Sequence, residues 1–128
     1  MTQPTLERIL YVEDDPDVQK IVKIALESVG GFKVKICSSG AEALQQAPLF
    51  EPQLILLDVM MPIMDGPATL KNLRNIPSMA LIPVLFVTAK VQKYEVENYK
   101  KLGVLEVIRK PFDPITLSET IQNIWRAI

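Results

Sequence analysis

The chain of 128 residues contains no histidine and one cysteine, Cys37. These counts exclude Ser-His-Asp and Cys-His triads, imidazole general bases, histidine-ligated zinc and an internal disulfide. Any chemistry must therefore use carboxylates, lysines, hydroxyl groups or bound ions. Side chains of these kinds stand at or just after the ends of apolar runs: Glu13, Asp14, Asp58, Thr88 and Lys110.

Three carboxylates in one cleft, from Glu13, Asp14 and Asp58, would repel each other. Two unit charges roughly 4 Å apart cost about 4 kcal/mol at an effective dielectric constant of about 20. The ammonium of Lys110 or a divalent cation could offset this repulsion, and an all-oxygen site with open positions suits Mg²⁺. An ionised carboxylate beside such cations can attack phosphorus and form an acyl phosphate. The Thr88 hydroxyl could then donate a hydrogen bond to a phosphoryl oxygen.

Five apolar runs, each predicted to be a strand, alternate with five segments of helical character. The predicted strands cover residues 9–12, 32–36, 53–57, 83–87 and 104–108. The second of these alternates lysines with apolar residues, which is typical of a sheet edge. The predicted helices cover residues 16–29, 40–47, 66–76, 90–102 and 114–128. Their start signals are N-cap residues or a capping box at Asp15, Ser39, Asp65 and Asp113.

This alternation predicts an α/β fold with a doubly wound parallel sheet that helices cover on both faces. Sheets of this kind bind ligands at the carboxyl ends of their strands. The chemically active residues should therefore converge at one edge of the sheet. At this length we expect a single domain over residues 1–128, with no effector domain.

Composition argues against several classes of function. The 14 basic and 15 acidic residues give a net charge of −1, so the basic excess of a nucleic-acid-binding protein is missing. The longest apolar stretch, residues 79–89, is too short for a membrane span and contains Pro83. The first residues lack a signal-peptide pattern, and a single cysteine fits a reducing compartment. We therefore expect a cytoplasmic protein that acts on neither nucleic acid nor membrane.

The sequence resembles a response-regulator receiver domain of two-component signalling, in its single-domain, chemotaxis-type form. The resemblance rests on Tyr-Val-Glu-Asp-Asp at 11–15, Leu-Asp-Val-Met-Met-Pro at 57–62, Met-Asp-Gly at 64–66, Val-Thr-Ala at 87–89 and Lys-Pro-Phe at 110–112. It covers nearly the whole chain and implies a flavodoxin-like (βα)5 fold with strand order 2-1-3-4-5. It also implies a Mg²⁺-dependent phosphoprotein of a phosphorelay. The phosphoryl donor would be a histidine kinase or histidine phosphotransfer protein, and the output a downstream protein target.

The resemblance also assigns roles to residues. It implies that Asp58 is the phosphoacceptor and that Glu13 and Asp14 form the acidic pocket, with Asp14 nearer the Mg²⁺. Asp58 itself and the backbone carbonyl of Met60 would be further metal ligands. The peptide bond that precedes Pro111 is expected to be cis. Phosphate-binding and switch roles are implied for Thr88, Ala89 and Lys110.

Three positions depart from the family pattern. Met60 and Lys90 occupy the two positions that flank the acyl phosphate in the family and tune its hydrolysis. Val107 stands three residues before Lys110, where receivers usually carry Phe or Tyr. Because valine is stiff at its first torsion and has no ring, the output step cannot copy an aromatic swing. We expect switching through the loop after Thr88 and the register of the fourth helix.

The predicted fourth helix has no single clean apolar stripe and no strong cap. It is either a loosely amphipathic surface helix or, with the fifth strand and last helix, a surface that binds a partner. Tyrosines are common anchors of protein interfaces. The candidate residues of this surface are Tyr94, Tyr99, Lys100 and Glu106.

Two other classes of function stay open at this point. A phosphorylation-independent interaction module is one, although such a module has no use for a costly cluster of like charges. A Mg²⁺-dependent phosphotransferase that acts on small molecules through an aspartyl phosphate is the other. Such enzymes usually need an acid two residues after the nucleophile, where this chain has Met60. Flavin binding is possible on fold alone, but fold does not decide function. We expect a signalling domain that catalyses its own phosphorylation, not an enzyme.

The side chain of Met60 predicts slow autodephosphorylation. It adds bulk beside the acyl phosphate and offers no hydrogen-bond donor or acceptor strong enough to orient an attacking water. Following the decay of the phosphorylated protein, without any phosphatase, measures this. Decay that is complete in less than minutes would contradict the prediction.

Overall fold

The computed structural model describes residues 4–89 and 92–128. Within these residues, five parallel strands form one sheet in the order β2-β1-β3-β4-β5, which confirms the predicted fold. The strands are β1 (Arg8–Val12), β2 (Lys33–Cys37), β3 (Leu54–Asp58), β4 (Val84–Thr88) and β5 (Glu106–Arg109). The lysine-bearing strand β2 lies at one edge of the sheet, as its alternating pattern predicted.

Helices connect consecutive strands. They are α1 (Pro16–Lys23), α2 (Gly40–Phe50), α3 (Gly66–Arg74), α4 (Lys93–Lys101) and α5 (Leu117–Arg126). Asp15, Ser39 and Asp65 cap the first three helices, because each side chain accepts a hydrogen bond from a backbone N–H of the first turn. Across the described parts of the chain, no helix is long and apolar enough to cross a membrane.

The core lies on both faces of the sheet. On one face, apolar side chains of the strands pack with α1 and α5, and Tyr11, Leu56, Val87 and Ile108 belong to this cluster. The other face packs with α2 and α3, and Phe86 belongs to that cluster. Because side chains alternate along a strand, residues 9, 11 and 13 of the first strand and its extension face α1 and α5. This parity decides which side chains reach the site.

The first helix differs from its predicted form. The predicted helix runs unbroken to Val29, whereas the structure has α1 followed by a π-helical segment at Ile24–Val29. The wider i→i+5 turn changes the phase of the apolar stripe. Val22, Ala25 and Leu26 are buried, as the 3.6-residue period of the sequence predicts. Ile21 and Val29, which the periodic pattern places in the core, are exposed.

The last two helices begin later than predicted. The fourth begins at Lys93 and not at residue 90, after Gln92 in an extended conformation without a side-chain cap. Lys90, the second predicted hydrolysis-tuning residue, lies outside the described residues. The fifth helix begins at Leu117 because Asp113 caps a separate turn, where its carboxylate accepts from the N–H of Ile115. The predicted inward stripe also ends early, since Ile128 is exposed.

Smaller differences concern where elements end. The second helix continues past its predicted end at residue 47 to Phe50, through Pro48. The fifth strand begins two residues later than predicted, at Glu106. Gln53, predicted to open the third strand, precedes β3, and its side-chain oxygen accepts from the N–H groups of Glu7 and Arg8. This amide side chain ties the start of β1 to the start of β3.

Candidate functional site

Three carboxylates meet at the carboxyl ends of the strands. Glu13 and Asp14 directly follow β1, and Asp58 is the last residue of β3. One carboxylate oxygen from each of the three lies within 4.8 Å of the others. Glu13 and Asp58 are buried, with 1% and 3% of their surfaces exposed, whereas Asp14 is exposed. The cluster therefore has a buried floor and one side open to solvent.

Lys110 bridges the two buried carboxylates. Its Nζ lies 2.6 Å from Oε1 of Glu13 and 3.3 Å from Oδ1 of Asp58. The backbone N–H of Lys110 donates to the carbonyl of Thr88 at 2.9 Å, which ties the lysine to the end of β4. The Lys110-Pro111 peptide bond is cis, as the resemblance implied. The ammonium is thus fixed between the two buried carboxylates.

Burial and charge shift the pKa values of this pair. Burial raises the pKa of Glu13 from 4.5 to about 7, and the nearby Asp58 adds to the rise, although Lys110 opposes it. For Lys110, burial acts to lower the pKa, but the hydrogen bond to Glu13 and the charge of Asp58 outweigh it and raise the pKa. The ion pair therefore compensates only part of what it costs to remove the Glu13 carboxylate from water.

The loop between β3 and α3 folds back tightly onto the site. The N–H of Gly66 donates to the carbonyl of Val59 at 2.9 Å. A Cβ on Gly66 would lie 2.7 Å from the carbonyl oxygen of Asp58, so glycine is required by the close approach of the two backbones. Met60 lies in this loop two residues after Asp58, and its side chain is 69% exposed. The loop therefore carries an apolar, solvent-facing side chain just after the strand end that holds Asp58.

Thr88 and Ala89 complete the strand ends. Thr88 is the last residue of β4 and is buried, and Ala89 follows it at an exposed position. Ala89 also lines an apolar cavity of about 310 Å³ together with Lys110 and residues of α1 and the β5–α5 loop. The structure thus brings the predicted pocket residues and the switch residues Thr88, Ala89 and Lys110 to one edge of the sheet. The roles assigned to them stay predictions.

The candidate output residues form a separate group on α4 and β5. Lys100 and Glu106 form an ion pair at 3.1 Å, and Tyr94 is exposed. Tyr99, a candidate residue of the partner surface, is only partly exposed. Its ring packs edge-on against Phe86, with ring centroids 5.1 Å apart, and it borders the core. The face of α4 that carries Tyr99 packs against the sheet. The sequence of α4 has no periodic apolar stripe that would predict this packing.

Val107 lies close to this aromatic contact. It pairs with Phe86 in the register between β4 and β5, and both belong to the same side of the core. The position that carries an aromatic ring in the familiar pattern is therefore half-buried and filled by valine, next to a ring supplied by Tyr99.

Two functional neighbours were not predicted from the sequence as site residues. Tyr11 is fully buried two residues before Glu13, on the same face of the sheet, and the period of two along β1 could have placed it there. Gln19 donates from its side chain to the carbonyl of Glu13 at 2.6 Å and to Ser38 at 3.2 Å. No short-range pattern signals the contact of Gln19, because it joins α1 to the start of α2 across the site.

The donor set fits a hard divalent cation. All three candidate ligands are carboxylates, the class of ligand that Mg²⁺ prefers, and the exposed Asp14 leaves room for coordinated water. A cation there would also favour the ionised form of Glu13, whose pKa is raised by burial and, to a smaller extent, by the charge of Asp58. The residues present therefore match the chemistry of a Mg²⁺ site.

Comparison with known proteins agrees with this geometry. The model of the family described as "Response regulator receiver domain" matches residues 9–122. The chain belongs to this family. Among curated relatives of the receiver domain, a probable transcriptional regulator, ycf29 of Porphyra purpurea, is 38% identical over 117 residues. That match covers 91% of this chain and 55% of the relative.

Other relatives extend the comparison. The alkaline phosphatase synthesis transcriptional regulatory protein PhoP of Bacillus subtilis is 33% identical over 94% of this chain and 49% of its own length. The chain thus spans about half the length of these curated relatives. Chemotaxis response regulator CheY4 of Vibrio cholerae has a TM-score of 0.85 at 29% identity, over 94% of this chain and 99% of that one.

One solved structure bears on the metal site. The receiver domain of the sensor histidine kinase PA1611 from Pseudomonas aeruginosa has a magnesium ion coordinated in its active-site cleft. It matches this receiver domain with a TM-score of 0.81 at 26% identity, over 94% of this chain and 98% of that one. Its cleft is a precedent for a cation in a receiver fold of this kind.

Glu13 should make the stability of the receiver domain depend on pH. Because its pKa rises from 4.5 to about 7 on folding, the folded protein binds this proton more tightly than the unfolded chain. The carboxylate therefore lowers the free energy of unfolding as pH rises from about 4.5 to about 7. In EDTA, Glu13→Gln should gain stability relative to wild type on going from about pH 5 to about pH 8. The expected gain is on the order of 2 kcal/mol, since one pKa unit is about 1.4 kcal/mol.

Urea denaturation at the two pH values measures this difference. Glu97→Gln, which neutralises an exposed carboxylate of α4, is the matched control for loss of one negative charge. An equal stability difference between Glu13→Gln and wild type at both pH values would show that the buried carboxyl does not titrate in this range.

Proposed function

We propose that this receiver domain accepts a phosphoryl group on Asp58 from a phosphohistidine, in a Mg²⁺-dependent reaction, and thereby switches its binding to another protein. The observation that carries the proposal is the bridge from the Lys110 ammonium to the buried carboxylates of Glu13 and Asp58. Burying several carboxylates together costs free energy. The arrangement is useful for phosphoryl transfer, because the cations that balance the carboxylates also stabilise the charge of a phosphoryl group.

The reaction is a displacement at phosphorus. A carboxylate oxygen of Asp58 forms the new O–P bond while the N–P bond to the donor histidine breaks, and the imidazole nitrogen keeps the electron pair. Glu13, Asp14 and Asp58, with the backbone carbonyl of Met60, would hold the Mg²⁺, which neutralises charge on the phosphoryl oxygens. Asp58 is buried on a strand end, so its orientation is fixed before the donor arrives.

Lys110 and Thr88 serve the transferred group. The ammonium of Lys110 is already within 3.3 Å of Oδ1 of Asp58, so it can pair with a phosphoryl oxygen attached there. Thr88 stands at the end of the neighbouring strand, where its hydroxyl could donate to a second oxygen. Because the backbone of Lys110 is bonded to the carbonyl of Thr88, movement of one residue affects the other.

The site favours signalling over turnover of small molecules. We propose that the domain is not an enzyme toward other substrates, because the position two residues after Asp58 holds Met60, which cannot donate a proton to a leaving group. A phosphorylation-independent interaction module is disfavoured for a different reason. Such a module would bury Glu13 at 1% exposure, although the ion pair with Lys110 offsets only part of the cost of removing the carboxylate from water. It would gain no chemical function in return.

Incubation with Mg²⁺ and acetyl phosphate should add one phosphoryl group to the wild-type protein. The adduct should be lost in Asp58→Asn, because the amide is not a nucleophile, and it should be lost in EDTA. Intact-mass spectrometry measures it. Asp17→Asn, which changes an exposed carboxylate in the first turn of α1, is the matched control and should be phosphorylated normally.

The opposite results are equally informative. An undiminished adduct in Asp58→Asn would assign the phosphoryl group to another residue. If the wild-type protein formed no adduct and also bound no beryllofluoride with Mg²⁺, the phosphoacceptor proposal would fail and the interaction module would replace it.

An apolar groove beside the pocket fits the protein donor. The cavity of about 310 Å³ lies between α1 and the β5–α5 loop and is lined by Val18, Ile21, Ala89, Lys110, Pro111 and Phe112. Lys110 lines this groove and also contacts Asp58, so a protein seated in the groove is beside the phosphoacceptor. We propose that the phosphohistidine protein places an apolar side chain here, because a donor must be oriented as well as attracted.

Ile21→Lys should separate the two kinds of donor. Ile21 is 43% exposed at the groove, so the change should leave the fold intact and remove an apolar contact. Transfer from a phosphohistidine protein should slow about tenfold or more, in the range of an interface hot spot. Phosphorylation by acetyl phosphate, which needs no groove, should be unchanged. Leu81→Lys, at a fully exposed position after α3, is the matched control. Equal slowing with both donors would place the defect in the pocket and not in docking.

A further inference from the structure

Tyr11 is an uncommon residue for the floor of a charged pocket. Its side chain has no exposed surface, and within the described residues its hydroxyl has no hydrogen-bond partner. A buried hydroxyl without a partner costs free energy, and most such groups in native proteins are paired. Phenylalanine would fill the same space without this cost. The hydroxyl therefore calls for an explanation beyond packing.

The surroundings of the hydroxyl point to the acidic pocket. Tyr11 lies two residues before Glu13 and faces the same side of the sheet. Burial raises the pKa of the phenol, and the charges of Glu13 and Asp58 and an interaction with the Glu13 side chain raise it further, so the hydroxyl lies near the Glu13 carboxylate. The phenol is therefore a neutral donor directed toward the buried side of the cluster.

Glu13 is held from other directions in this structure. Its Oε1 is paired with Lys110 at 2.6 Å, and its Oε2 accepts from the N–H of Asp15 at 3.3 Å, which is long for such a bond. Lys110 cannot stay fully committed to Glu13 if it also neutralises a phosphoryl group on Asp58. A carboxylate that gives up part of its contact with Lys110 needs another donor to hold it in place.

We propose that Tyr11 is a positioning residue of the acidic pocket, whose hydroxyl donates to Glu13 when the carboxylate turns from Lys110 toward a bound Mg²⁺. This inference rests on the proposed function, because it assigns a residue to the same site. The bond would fix the carboxylate from below and leave Lys110 available to the phosphoryl oxygens. Loss of a hydrogen bond that orients a metal ligand typically lowers metal affinity by roughly 10- to 100-fold.

The test is Tyr11→Phe, titrated with Mg²⁺ alone. The variant keeps the ring, so the metal-free protein should melt at the same temperature as wild type or higher, because an unpaired buried hydroxyl is gone. The Mg²⁺ dissociation constant, from amide chemical shifts in the loops after β1 and β3, should rise roughly tenfold. Substitution of a merely structural residue would not weaken Mg²⁺ binding while leaving the melting temperature unchanged or higher.

Ser118→Ala is the control variant. It also removes a buried hydroxyl, from the part of α5 that packs beside Gly30, and its Mg²⁺ affinity should equal that of wild type. Unchanged Mg²⁺ affinity in Tyr11→Phe, with normal binding by wild type, would overturn the role of Tyr11 and leave the proposed function intact. Parallel loss of stability and affinity would also overturn it. Failure of wild type to bind Mg²⁺ would remove both proposals.

Discussion

The ion bridge from Lys110 to the buried carboxylates is the constraint on which the rest of the site depends. Lys110 follows β5 and Glu13 follows β1, and β3 and β4 lie between them in the sheet. Only a long side chain on the correct face can reach across two strand ends. A register slip of one residue along β5 would direct Arg109 to this face and Lys110 to the other. The strand order and the parity of β5 are thus requirements of the charge balance, and the tie from Lys110 to Thr88 secures them.

The same ion bridge shows that forming the buried acidic pocket costs folding free energy. Removing two carboxylates and an ammonium from water is unfavourable, and the attraction among them recovers only part of it. The raised pKa of Glu13 is the sign of this deficit, because burial outweighs the contribution of Lys110. The surrounding layers of apolar side chains, which cover both faces of the sheet, supply the stability that allows it. An additional cation in this pocket would therefore offset part of the remaining free-energy cost of burying the carboxylates.

The sequence was sufficient for the features that follow from periodicity. The alternation of strands and helices predicted the sheet. The positions of Glu13, Asp58 and Lys110 after strand ends predicted that these three residues would meet. It was insufficient where tertiary contacts decide. Val29 lies in the π-helical segment after Lys23 and is exposed, although the 3.6-residue period places it in the core. Tyr99 packs inward against the ring of Phe86, a contact with another strand that no local pattern of α4 could predict. Tyr11 was visible in the sequence, but its unpaired hydroxyl was not.

The contrast between the pocket and α4 suggests where a signal would leave the site. None of residues 93–101 is fully buried, and α4 begins without a side-chain cap. Its contact with the core includes the ring of Tyr99 on Phe86, and Phe86 lies two residues before Thr88 on the same strand. Because no residue of α4 is fully buried and its ion pair Lys100–Glu106 is exposed, displacing α4 should cost less free energy than displacing the packed α1 or α5. Since Val107 has no ring to relocate, we expect the Phe86–Tyr99 contact to be the element that converts a change at Thr88 into a change of surface.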